Sequence, residues 1–245
     1  MRKKIMILGA SILQLPAIKK AKEMGLDVIV VDMNPYAVGF SEPGIVKEIY
    51  STVDSDNILV VAKKYKIDGI FTLATDMPMK SVAYVVDKMN LKGIDEETAL
   101  KATDKALMRK ALFDNGVPVP KYYEVKSESE YYDVIKKFKE PYIVKPTNNS
   151  GSRGIFEVHD LQNRKLAHDA YRYCMKNSDS DRILVEEYMN GPEVSVETIT
   201  VDNVCHVIQI TDKVTTGAPH YVEIGHSQPS KLSEEIKKQI ISVAK

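Results

Sequence analysis

Apolar runs and amphipathic stretches alternate through the first third of the chain. The apolar run at 4–8 precedes an amphipathic stretch at 13–24, the run at 28–31 follows Gly25, and the run at 69–73 follows a second amphipathic stretch at 57–66. Short strands without polar alternation are buried on both faces, and strands separated by helices pair in parallel. Residues 1–92 are therefore expected to form a doubly wound parallel sheet. A basic helical segment at 95–115 lies within a connecting region, 93–117, and the run Gly116 Val117 Pro118 Val119 Pro120 stops it. The pattern then becomes α+β. Between 118 and 187, Ser127 and Glu130 spell a capping box ahead of a helix with Tyr131, Val134, Ile135 and Phe138 on one face, and Pro141 opens a strand ending at Lys145. In the last part, 188–245, the β-rich runs 193–201 and 204–211 flank Asp202 and Asn203 as a hairpin, and Ser233 caps a helix bearing Ile236, Ile240 and Ile241.

Composition narrows the partners. Of 245 residues, 44% are apolar and 28% charged, the ordinary make-up of a soluble globular protein with room for two domains. Thirty-four basic residues balance thirty-four acidic ones, so no global field draws the chain to nucleic acid or to a membrane, and any anion site must be local. Cys174 and Cys205 lie far apart without a CxxC pair and read as reduced structural thiols. The basic start and the apolar run after it imitate an export signal, but Gln14, Pro16 and Lys19 interrupt it. No run reaches the ~20 apolar residues of a membrane span. A cytoplasmic location is expected.

The densest chemistry lies in Tyr142 Ile143 Val144 Lys145 Pro146 Thr147 Asn148 Asn149 Ser150 Gly151 Ser152 Arg153 Gly154 Ile155, followed by Val185 Glu186 Glu187 Tyr188 Met189 and by Glu193. A strand ending in lysine delivers a charge, and a loop containing Ser150, Gly151, Ser152, Arg153 and Gly154 brings N–H groups, hydroxyls and a guanidinium toward anionic oxygens. Backbone groups at the end of the second strand can meet an adenine edge, and Glu193 can accept from ribose hydroxyls. A rival nucleotide reading rests on the first turn, Gly9 Ala10 Ser11 Ile12 Leu13 Gln14, and on Asp32 at the end of the second strand, where a nicotinamide dinucleotide would put its ribose. That turn lacks the GxGxxG glycines which admit a pyrophosphate, and GxxxxGK[ST] is also absent.

Taken together, the lysine-ended strand, the Gly/Ser loop with Arg153 and the acidic strand end resemble the ATP-grasp superfamily, above all the carboxylate–amine ligases related to the large subunit of carbamoyl phosphate synthetase. The opening ILGASILQLPAIKKAKEMG resembles the domain that precedes the nucleotide site in these enzymes, and Thr103 Asp104 Lys105 resembles a segment that reaches the ATP phosphates. The resemblance implies that Lys105 and Lys145 contact phosphates, that 150–154 is a lid, that Glu186, Glu187, Tyr188 and Met189 form the adenine hinge, and that Glu193 takes the ribose. It implies ATP with Mg2+ or Mn2+, and small-molecule carboxylate and amine substrates joined through an acyl phosphate. Arg153 could equally hold the acyl phosphate or the acid. His220 falls where related synthetases carry a histidine near the transferring phosphate, although a lone loop histidine is first of all a solvated group. Asp76 follows the strand ending at 73 and is a substrate-side candidate by position.

One family feature is missing: no Glu-x-Asn, the pattern that binds the metal in these enzymes, occurs in the sequence. The α+β domain is accordingly expected to be incomplete at its C-terminus, the metal ligands are unassigned, and the chain is expected to bind ATP without full activity. A homodimer, or a separate C-terminal partner chain, is the macromolecular partner expected. A catalytically silent nucleotide-binding subunit or sensor is the alternative.

Overall fold

A computed structural model describes residues 2–149, 151–218 and 221–245. It divides into two compact units, Met1–Thr103 and Asp104–Lys245.

The first unit contains β1 (Lys4–Leu8), α1 (Leu15–Glu23), β2 (Asp27–Val31), β3 (Val46–Glu48), α2 (Ser55–Tyr65), β4 (Gly69–Thr72), α3 (Met79–Met89) and α4 (Glu96–Thr103). Its four strands lie in the order β3-β2-β1-β4, and every pairing is parallel. Strand residues alternate between two cores. Met6, Leu8, Ile29 and Val31 pack with Ile58, Val61 and Ala62 of α2 and Val82, Val85 and Val86 of α3, while Ile7, Val28 and Val30 pack with Ile18 and Ala21 of α1. Both faces are buried, which is why these strands are continuously apolar.

The second unit contains α5 (Lys105–Asp114), β5 (Tyr122–Val125), α6 (Glu128–Ile135), β6 (Tyr142–Pro146), β7 (Phe156–Val158), α7 (Arg164–Lys176), β8 (Ile183–Glu187), β9 (Val194–Val201), β10 (Val204–Thr215), β11 (Glu223–Ser227) and α8 (Glu234–Ala244). An antiparallel sheet runs β5-β8-β6-β7 and a second runs β11-β10-β9. One face of the first sheet buries Val125, Tyr142, Val144, Val158, Ile183 and Val185 against Tyr131 and Val134 of α6 and Ala167, Ala170 and Cys174 of α7. Burial pushes the Cys174 thiol up to about 12, consistent with an inert structural cysteine. The β9–β10 hairpin turns at Asp202 and Asn203, both at positive φ (49° and 63°), as a two-residue polar turn requires.

The helical segment expected at 95–115 consists of two helices, α4 and α5. Asp104 breaks it: its backbone is extended (φ −111°, ψ 118°), and its carboxylate caps α5 by accepting from the N–H groups of Ala106 and Leu107. Among the described residues no helix is long and apolar enough to cross a membrane.

Candidate functional site

The first turn of the first unit is closed by its own side chains. Gln14 is 3% exposed, accepts from Ser11 N–H and Oγ, and donates to Leu73 O. Asp32 accepts from Ala10 N–H and Asn34 N–H, both at 2.8 Å. The amides and the acid that a dinucleotide would need are thus spent within the fold. Asp76 follows β4 in this unit, and its carbonyl accepts from Met79 N–H.

In the second unit, register determines which residues meet. In the pairing β8-β6-β7, Glu186 lies opposite Ile143, Ile143 opposite Glu157, and Lys145 opposite Leu184. Because Val144, Val185, Phe156 and Val158 face the helices, their neighbours Ile143, Lys145, Glu186 and Glu157 share the other face. Helix α5 adds Lys105 and Arg109, one turn apart on one side of the helix.

These side chains form a compact ion cluster. The Glu186 carboxylate, 3% exposed, accepts from Arg109 Nε at 2.6 Å and from Arg109 Nη2 at 3.4 Å, and pairs with Lys145 Nζ. Lys105 Nζ donates to Asn149 O. Burial lowers the Lys105 pKa, and the neighbouring Lys145 lowers it further; burial also lowers that of Lys145, against the opposing pull of Glu186. Three cations around one buried carboxylate leave a positive excess, which an anionic ligand would neutralise.

The start of α5 is fastened in place. Lys105 N–H donates to Thr147 O at 2.7 Å, just past β6. Asp104 receives Arg182 Nη2 at 2.8 Å, and Arg182 Nη1 reaches Glu124 at the same distance. The lysines are therefore positioned by backbone and buried charge rather than by mobile surface contacts.

The loop after β6 has Gly151, Ser152 and Gly154 at positive φ, and Ser152 Oγ donates to Tyr221 O at 3.4 Å. Arg153 is also engaged within the structure. Ser150 and His220 lie outside the described residues. A Cβ on Gly154 would sit 2.7 Å from Pro146 Cγ and 2.8 Å from Asn177 Cβ, whereas one on Gly151 would meet open space. Gly154→Ala should therefore lower the melting temperature by more than Gly151→Ala. Both pay the left-handed strain of about 1–2 kcal/mol, but only the first adds overpacking of about 1–3 kcal/mol. Melting curves of the two variants, compared with the unaltered protein, test the order.

The hinge segment is only partly available. Glu187 N–H donates to Lys121 O at 2.8 Å and Tyr188 N–H to Pro141 O at 3.0 Å, so neither is the backbone donor expected at a purine edge. Met189 is 69% exposed. Glu193, expected at a ribose, pairs with Lys213 at 2.6 Å, and Lys213 also holds Glu223 at 2.7 Å. The hydrogen bond from Lys213 keeps the Glu223 carboxyl below its usual range.

Arg109 was not anticipated from the sequence. Its signal is the i, i+4 spacing from Lys105, which becomes informative only once a helix is known to start at Lys105. Among the described residues no group of three or more His, Cys, Asp or Glu side chains could hold a metal ion. No metal ligand is therefore assigned among the described residues, and no step is routed through a metal.

Residues 138–245 match the ATP-grasp domain family. The chain is 25% identical over 233 residues to the carbamoyl phosphate synthase large chain of Clostridium acetobutylicum, covering 91% of this chain and 21% of that one. It is 25% identical over 209 residues to alanine–anticapsin ligase of Bacillus subtilis, covering 78% and 44%. The crystal structure of phosphoribosylglycinamide synthetase from Anaerococcus prevotii superposes with a TM-score of 0.78 at 26% identity, covering 100% of this chain and 61% of that one. The chain spans between 21% and 44% of the length of the curated relatives it matches. Domain match, sequence similarity and whole-chain superposition agree: residues 138–245 belong to the ATP-grasp domain family, and the chain as a whole is similar to ATP-grasp ligases.

Proposed function

We propose that this chain supplies the nucleotide-binding part of a ligase that activates a carboxylate with ATP for attack by an amine. The observation that carries the reading is the cluster of Lys105, Lys145 and Arg109 at buried Glu186, on the face away from α6 and α7 of a sheet whose β6 leads into the glycine loop. In this reading the carboxylate oxygen attacks the γ-phosphorus, ADP leaves, the amine then attacks the acyl carbon, and inorganic phosphate leaves. Transfer of this kind depends on positioning and charge neutralisation more than on a protein nucleophile. Lys105 and Lys145 would hold phosphate oxygens, with 150–154 closing over them. Arg153 would serve the phosphates or the acid. Met189 would supply the backbone edge to the base, and Glu193 would reach the ribose by exchanging its contact with Lys213.

ATP or ADP should bind at least tenfold more tightly than NADH, since the cation cluster is formed while the first turn is filled by Gln14. Titration calorimetry with each ligand decides this; equal affinities would remove the reading. The absence of Glu-x-Asn from the sequence, together with the lack of an acidic cluster among the described residues, favours a second statement: these residues bind nucleotide without turning it over. Amino-acid-dependent ADP release by the 245-residue chain would refute it.

A further inference from the structure

We infer that Glu157 accepts a hydrogen bond from the exocyclic amine of a 6-aminopurine and so sets the base preference of the site; this rests on the nucleotide reading above. Glu157 is central in β7, and its side chain is 9% exposed. One carboxylate oxygen, Oε2, accepts from His159 Nε2–H at 2.8 Å. The other, Oε1, is buried and has no hydrogen-bond partner in the structure. A carboxylate oxygen shielded from water without a donor is costly, and such an atom calls for a partner the chain itself does not supply.

Register shows where that partner would come from. Glu157 lies opposite Ile143, which lies opposite Glu186, so the carboxylate is on the same sheet face as the cation cluster rather than in the core. Lys145 is two residues further along β6, about 7 Å at the rise of a strand, toward the glycine loop. The opposite direction leads to the hinge. His159 packs its ring edge against Tyr188 of that hinge, with centroids 5.0 Å apart, and so links Glu157 to it. A nucleotide with its phosphates at Lys105 and Lys145 would thus place its base toward Glu157. Glu186 cannot serve in its place, since both its oxygens are held by Arg109 and Lys145.

An amine at purine position 6 donates to Oε1. A 6-oxo group brings a lone pair against it, and a site built to receive a donor rejects the analogue that lacks one. The test is calorimetric binding of ATP and of inosine triphosphate to the unaltered protein, to Glu157→Leu and to Glu157→Gln, with circular dichroism to confirm that the isosteric Gln variant keeps its fold. The unaltered protein should prefer ATP by about tenfold or more. The preference should fall to near one with Glu157→Leu and narrow with Glu157→Gln, whose amide can present either an acceptor or a donor. Tight ATP binding with no preference in the unaltered protein, or the same preference in all three proteins, would overturn the role of Glu157 and leave the nucleotide reading intact. Failure of the unaltered protein to bind ATP would overturn both.

Discussion

Glu186→Gln should unfold roughly 10 °C below the unaltered protein. Among the described residues Glu186 is the only carboxylate that pairs with Arg109 and Lys145, and its side chain is 3% exposed. Removing one partner of a buried pair typically costs about 3–5 kcal/mol, because the remaining charges stay desolvated and now repel one another. For a chain of this size each kcal/mol moves the melting temperature by about 2–4 °C. The same substitution at Glu97, whose side chain is 75% exposed and pairs with Lys101 one turn along a helix, should move it by about a degree or not at all. The sign of the pH dependence adds a second check. Burial already holds the Lys145 pKa below its ordinary value, and Glu186 opposes that shift. Without Glu186 the folded pKa falls further below the unfolded one, so across the alkaline range the unfolded chain binds more protons and stability rises with pH. The deficit of Glu186→Gln should therefore shrink as pH is raised from neutral toward the lysine range. A deficit that is small, or constant with pH, would show that the cluster is better solvated than its geometry implies.

The candidate site was legible from sequence where a feature depends on its neighbours in the chain. Lys145 at the end of an apolar strand, and the loop with Gly151 and Gly154, are local features: the strand pattern and the positive φ of the glycines are fixed by neighbours in the chain. The doubly wound sheet was readable for the same reason, since continuous apolar strands such as Asp27–Val31 need burial on both faces. What the sequence concealed depends on distant pairings. That Glu186 turns its carboxylate to Arg109 and Lys145 follows from the β6–β8 register and from a helical residue seventy-seven positions earlier in the chain, Arg109. The break at Asp104 was hidden because an aspartate inside a basic amphipathic stretch is compatible with either one helix or two until its side chain caps the second. Strand β7 is three residues long and has too little sequence to show a period, so Glu157 gave no sign of facing the site.

Lys145→Ala should weaken ATP binding about tenfold or more while leaving the first unit's fold untouched. Lys145 is 13% exposed and faces Lys105 and Arg109 across Glu186, so an arriving phosphate would exchange a strained cation cluster for charge-assisted hydrogen bonds. Such bonds contribute about 1.5–3 kcal/mol each, corresponding to roughly 10- to 150-fold in affinity. Stability must be measured alongside, because the substitution also leaves Glu186 with one partner instead of two. Lys136→Ala provides the contrast: that lysine is 72% exposed, pairs with Asp133, and lies on α6's side of the sheet, so it should change neither affinity nor melting. Calorimetry should show whether the loss is confined to ATP or extends to adenosine. A phosphate-directed lysine predicts a large loss for ATP and almost none for adenosine, whereas a collapse of the pocket predicts equal losses for both. Equal affinity of Lys145→Ala and the unaltered protein for ATP would remove Lys145 from the phosphate site, and with it the assignment of this sheet face as the place where nucleotide binds.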